Sequence, residues 1–127
     1  MGYFTFDVCS LIRDYPRNKR TLAAIQTQVK ACDKAIVDPI GNTEKGDWEF
    51  LKKRLDRLEA EFQMYVDMVV LGFNDLPEVE RLVLQYWLID NMPDEYIAEH
   101  CAIDGVQEVK KIKKIALTRF TNIVAPN

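Results

Sequence analysis

LPEVERLVLQYWLIDNMPDEYIAEHCAIDGVQEVKKIKKIALTRF, residues 76–120, is the stretch whose reading decides the fold. Leu76, Val79, Leu82, Val83, Tyr86 and Trp87 recur at helical spacing, and Asp75 with Glu78 three residues on forms a capping-box pattern. DNMPD then reads as a turn, with Pro93 at the start of a second helix, since proline fits a first helical turn. That helix, DEYIAEHCA, is about two turns long and turns Ile97, Ala98 and Cys101 inward. Asp104 is read as the cap of a third helix, with Gln107 at the capping-box position.

The third helix is expected over residues 105–122. On a wheel of 100° per residue, Val109, Ile112, Ala116, Phe120 and Ile123 gather on one side. Gln107, Lys111, Lys114 and Thr118 take the opposite side, with Lys110 beside them. Lys113 lies near the apolar edge, where its stem can rest on the core while the ammonium reaches water. A short helix, a tight turn and a longer helix with a basic outer face make a helix-turn-helix pattern suited to the DNA major groove. The expected DNA-contacting residues are Gln107, Lys110, Lys111, Lys113, Lys114 and Thr118. Glutamine can pair with adenine and lysine with guanine or phosphate.

Charge is distributed unevenly around this helix. The chain of 127 residues has a net charge of −3, made up of +1 over residues 1–47, −7 over 48–100 and +3 over 101–127. The basic end suits a polyanion and the acidic middle suits a protein partner. A lysine run by itself is commonly a solvated helix face. The cap, the turn and the preceding short helix favour DNA contact, and the apolar side is needed for packing rather than for a membrane.

Toward the N-terminus, Phe4, Val8, Leu11 and Ile12 suggest a short amphipathic helix ended at Asp14-Tyr15-Pro16. Leu22, Ile25, Val29, Cys32 and Ile36 then step 3-4-3-4, as do Trp48, Leu51, Leu55, Leu58, Phe62, Tyr65 and Val69. Two heptad-patterned helices predict an antiparallel hairpin or a seam between copies. Asp38-Pro39 is expected to end the first, PIGNTEKGD to be a loop, Asp47 to cap the second, and Gly72 with Asn74 to stop it. The predicted architecture is all-α. A hairpin or oligomerisation module occupies residues 1–73, and a DNA-binding module occupies 74–127.

Cys9, Cys32 and Cys101 are odd in number and far apart, which argues against a disulfide framework or a zinc site. The start lacks the basic region of a signal peptide and carries Asp7 early, no run approaches a membrane span, and the myristoylation pattern is displaced. A cytoplasmic location in a bacterial host is expected. No phosphate loop, HExxH or GxSxG is present, and His100 and the adjacent acids Glu59/Glu61 and Asp94/Glu95 read as solvated. Catalytic residues, metal and cofactor are expected to be none.

Leu76-Pro77, Glu80-Arg81, Ile97-Ala98-Glu99 and Ala116-Leu117 carry a resemblance to region 4 of bacterial sigma factors. With Arg13 to Pro16 (RDYP) and the Tyr86-Trp87 pair, the whole chain resembles phage late-gene transcriptional regulators of the RinA/ArpU type. Two departures stand out: the turn between Ile103 and Val109 is one residue longer than the usual sigma turn, and the family's glycine loop is reduced to PIGNTEKGD. The resemblance implies binding to promoter DNA and contact with host RNA polymerase, to activate late genes. Two other readings of the residues are a helical adaptor that binds polymerase through acids such as Glu78, Asp90 and Asp94, and a small terminase-like packaging component that forms a ring.

Overall fold

Helix is the only regular structure among the described residues, 7–37 and 45–125, of the computed structural model. The order is α1 (Val8–Arg13), α2 (Tyr15–Val37), α3 (Lys45–Asn74), α4 (Glu78–Leu84), a π-helical segment Gln85–Ile89 that continues α4, α5 (Asp94–His100) and α6 (Val106–Val124). No helix among them is long and apolar enough to cross a membrane. Phe4, Asp38-Pro39 and loop residues 40–44 of the sequence reading lie outside the described residues.

The chain divides into two compact units, Arg17–Val66 and Met1–Pro16 with Asp67–Asn127. This division differs from a cut at residue 73. The last turns of α3, and α1, belong with the C-terminal helices. The first unit is built from α2 and most of α3. Ile25 and Cys32 of α2 and Leu55 of α3 form its buried cluster, with Val29, Trp48 and Phe62 packed against it. Lys52 meets Asp33 at 3.0 Å, and that hydrogen-bonded carboxylate raises the Lys52 pKa. The 23 residues of α2 span about 35 Å, more than residues 38–44 could retrace at full stretch. The two helices therefore pack antiparallel. Leu51 and Leu58 depart from expectation: each is 42% exposed. One partner helix covers only the side carrying Trp48, Leu55 and Phe62, and leaves the alternate heptad positions at the edge.

In the second unit, Asp7 caps α1. Its carboxylate accepts from the Ser10 amide at 3.1 Å and the Ser10 hydroxyl at 2.6 Å, and that hydroxyl bond holds its pKa below the usual range. Val8, Leu11 and Ile12 are buried, and α1 packs on the π-helical segment and on α6. Leu84 and Leu88, which fall outside the apolar stripe read from sequence, are also buried. Pro16 does not prolong the break at Asp14, because its missing N–H costs nothing in the first turn of α2.

Four boundary expectations need correction. First, α3 begins at Lys45, so Asp47 stands inside its first turn, where a carboxylate suits the helix dipole. Second, Gly72 does not stop α3. It is buried in the last turn of the helix, and a Cβ placed there would run into the ring of Phe120. Glycine is required by this close approach, not by a turn. Third, α3 runs on to Asn74, and Asp75 closes it by donating its amide to Leu71 at 3.3 Å, so α4 starts beyond Pro77 with no side-chain cap. Fourth, α6 starts from Gly105 at φ 93 rather than from an Asp104 cap, again with no side-chain hydrogen bond.

The turn between α5 and α6 is set by backbone. Ile103 N–H donates to the Ala98 carbonyl at 2.8 Å, the closing bond of a Schellman motif, with Ala102 left-handed at φ 54. Ile103 and Ala98 both join the same apolar cluster, as the motif favours. Ala102→Gly should stabilise the chain by about 0.5–1 kcal/mol, since alanine pays a left-handed penalty that glycine avoids. Gly105→Ala should destabilise it by about 1 kcal/mol although nothing lies within 4 Å of the new methyl, because φ alone resists a side chain. Urea unfolding of the two variants should show midpoint shifts of opposite sign.

Candidate nucleic-acid interface

Helix α6 packs on α4, α5 and α1. Val109, Ala116 and Phe120 are fully buried. Val83 of α4, Ile97 of α5 and Val109 of α6 form one cluster, with Trp87, Cys101, Ile103 and Ile112 around it. Tyr86 and Tyr96 meet edge-on at 5.9 Å, and His100 stacks on Tyr96 at 3.7 Å, tying the end of α4 to α5. Burial pushes the Cys101 thiol pKa up, as suits a packing residue.

The inward side of α6 matches the sequence reading, and the basic residues divide in two. Lys113 turns inward. Its ammonium lies 2.5 Å from Asp94 Oδ1 and 4.5 Å from the centre of the Trp87 ring, with only 17% of the side chain exposed. This overturns the expectation that its ammonium reaches water and removes Lys113 from the outward set. Two attractions fix it there: a carboxylate in the first turn of α5, and an aromatic face. Asp94 is likewise engaged and does not present a free acidic surface. Arg119 turns toward α4, its Nε 3.2 Å from Glu80 Oε1. That oxygen is buried and has no hydrogen bond of good geometry in the described residues, so the contact is ionic.

The outward group comprises Gln107, Lys110, Lys111, Lys114 and Thr118, all exposed. Lys111 approaches Glu108 at 3.8 Å, but with side chains 73% and 49% exposed this contact is too weak to hold the ammonium. The Thr118 hydroxyl donates to the Lys114 carbonyl at 3.0 Å, leaving its methyl outward. Sequence reasoning missed Ile115. It is 47% exposed and, with Lys111, Lys114, Thr118 and Arg119, lines a shallow apolar depression on the outer face. The signal was available: Ile115 falls 40° from Lys111 on the wheel, a large apolar side chain at the edge of the basic face.

The resulting surface is a helix face with an amide near its N-terminus, three exposed ammoniums along one side and the exposed Ile115 at their edge. Comparison with protein-family models, with curated proteins and with solved structures found no match to this chain.

Proposed function

We propose that this chain is a DNA-binding transcriptional regulator that lays α6 in the major groove of promoter DNA. The observation that carries the reading is the division of α6. Its buried apolar face and two of five basic side chains anchor it to α4 and α5, while Gln107, Lys110, Lys111 and Lys114 stay exposed on one side. A helix so held is a rigid probe, and α5, its turn and α6 then act as a helix-turn-helix. Gln107, in the first turn, suits an adenine edge, and the lysines suit phosphates or guanine. Ile115 and the Thr118 methyl suit thymine methyl groups. The resemblance to RinA/ArpU-type regulators and sigma region 4 supports activation of phage late genes, with host RNA polymerase as a second partner.

The test begins with selection of bound fragments from the genome of the parental replicon, followed by titration of an enriched fragment at several salt concentrations. Three lysines on phosphates give a slope of log affinity against log salt of about −2.7. Lys111→Ala with Lys114→Ala should reduce that slope by about 1.8, whereas Lys30→Ala on α2 should leave it unchanged. If no fragment is enriched, or binding does not respond to salt, the reading fails.

A further inference from the structure

Among the described residues of α6, Ile115 is the large apolar side chain left exposed. Its surroundings follow from helix geometry. Residues four apart form ridges on a helix surface, with grooves between them. Lys111, Ile115 and Arg119 make one such ridge, and Lys114 and Thr118 make the next. The shallow depression lined by these five residues is the groove between the two ridges. Its walls are aliphatic: the Ile115 side chain, the stems of the lysines, and the Thr118 methyl, since the Thr118 hydroxyl donates back to the Lys114 carbonyl. Its surroundings are cationic. Lys110, Lys111, Lys114 and Arg119 are exposed there, against Glu108 beside Lys111 and Glu80 beside Arg119. A small apolar seat among cations fits an apolar group carried between negative charges. On the major-groove edges of DNA that group is the methyl at C5 of a pyrimidine, with phosphates on either side.

We propose, on the reading of α6 as a major-groove helix, that this depression seats the C5 methyl of one pyrimidine and makes binding sensitive to cytosine methylation. Ile115 carries no hydrogen-bonding atom in its side chain, and the Thr118 hydroxyl hydrogen is already committed within the helix. The seat therefore does not tell the O4 of thymine from the N4 amino group of cytosine, the groups by which the two bases differ in the major groove. It registers the methyl alone. A 5-methylcytosine is held there as a thymine is. Uracil or unmethylated cytosine leaves the apolar walls without a partner. Burial of one such group changes affinity about fourfold. Methylation of a cytosine at this position strengthens binding with no change of base sequence, so the site can be regulated by the modification state of its DNA.

The full chain is first used to select duplexes from a randomised library. Each pyrimidine of a selected duplex is then replaced in turn by thymine, uracil, 5-methylcytosine and cytosine, with the complementary purine opposite. At one position the wild type should bind thymine about fourfold more tightly than uracil, and 5-methylcytosine about fourfold more tightly than cytosine. The comparison is made within each pair, where only the methyl differs. In Ile115→Ala both ratios should fall to near one. This variant should fold, because the position is 47% exposed and alanine is the better helix former. An effect of the methyl on duplex shape would persist in the variant, so the cycle isolates the contact. Salt-dependent binding with no methyl effect at any pyrimidine overturns the proposal alone and leaves the depression to an apolar side chain of a protein partner. A methyl effect confined to the thymine pair, or one that Ile115→Ala retains, overturns it equally. A wild type that selects no duplex removes the DNA-binding reading and the proposal with it.

Discussion

Phe120→Ala should lower stability by about 3–5 kcal/mol, the usual cost of removing a buried aromatic ring, measured as a shift of the urea midpoint. Phe120 is fully buried, meets Phe73 edge-on at 5.9 Å and fills the space left by the missing side chain of Gly72. The C-terminal end of α3 and the C-terminal part of α6 are therefore joined by a ring seated on bare backbone. Gly72→Ala alone should cost about 1–3 kcal/mol, because the new methyl would overlap a ring with no free space to retreat into. The informative variant is the pair. With Phe120 already reduced to alanine, the obstacle is gone, and alanine is the better helix former by about 1 kcal/mol. Gly72→Ala should then become neutral or stabilising. A change of sign measures the coupling directly; costs that simply add would show that the two positions do not share this contact.

That pair also shows what the sequence could and could not disclose. The apolar periodicity of α6 was legible, because Val109, Ala116 and Phe120 repeat on one side of a wheel and a single face of a helix must find cover. So were the all-helical class and the hairpin, whose Ile25, Cys32 and Leu55 follow the heptad spacing. Gly72 was not. A glycine near the end of an apolar run ordinarily marks a stop, and only knowledge of where Phe120 lands distinguishes a stop from a seat. The helix caps failed for a related reason: Asp75 and Asp104 have the right chemistry, but Asp75 closes α3 with its amide, and Gly105, not Asp104, stands at the start of α6. Exposure of Leu51 and Leu58 was hidden because a heptad pattern does not state how many partners a helix has.

The candidate site was read in outline and misread in one charge. Composition and spacing group Lys110, Lys111, Lys113 and Lys114 together, yet nothing local tells which will meet a carboxylate from another helix. Lys113 is singled out by Asp94 and Trp87, residues far off in sequence that α5 and the π-helical segment bring to it. Ile115 was missed for the converse reason. An isoleucine is assigned to the core by default, and here the core side was already full.

The division of the lysines yields opposite outcomes at neighbouring positions. Asp94→Ala should destabilise the fold by about 1–3 kcal/mol, since it leaves the Lys113 ammonium largely enclosed without its counter-charge. Lys113→Met should cost less, because an apolar chain of similar length can lie on Trp87 while Asp94 keeps the favourable end of the α5 dipole. In a double-mutant cycle, Asp94→Ala with Lys113→Met should therefore be less damaging than Asp94→Ala alone. Lys113→Met should leave the salt slope of DNA binding unchanged, because the Lys113 ammonium is already neutralised by Asp94 within the protein. Lys111→Ala should do the reverse, lowering the slope by about 0.9 with little change in the urea midpoint, as expected of an exposed side chain. If Lys113→Met lowered the slope as Lys111→Ala does, Lys113 would have to leave Asp94 on binding, and α6 would not meet DNA in the arrangement it holds here. The contrast depends on one ammonium facing inward and another facing out, two residues apart on the same helix.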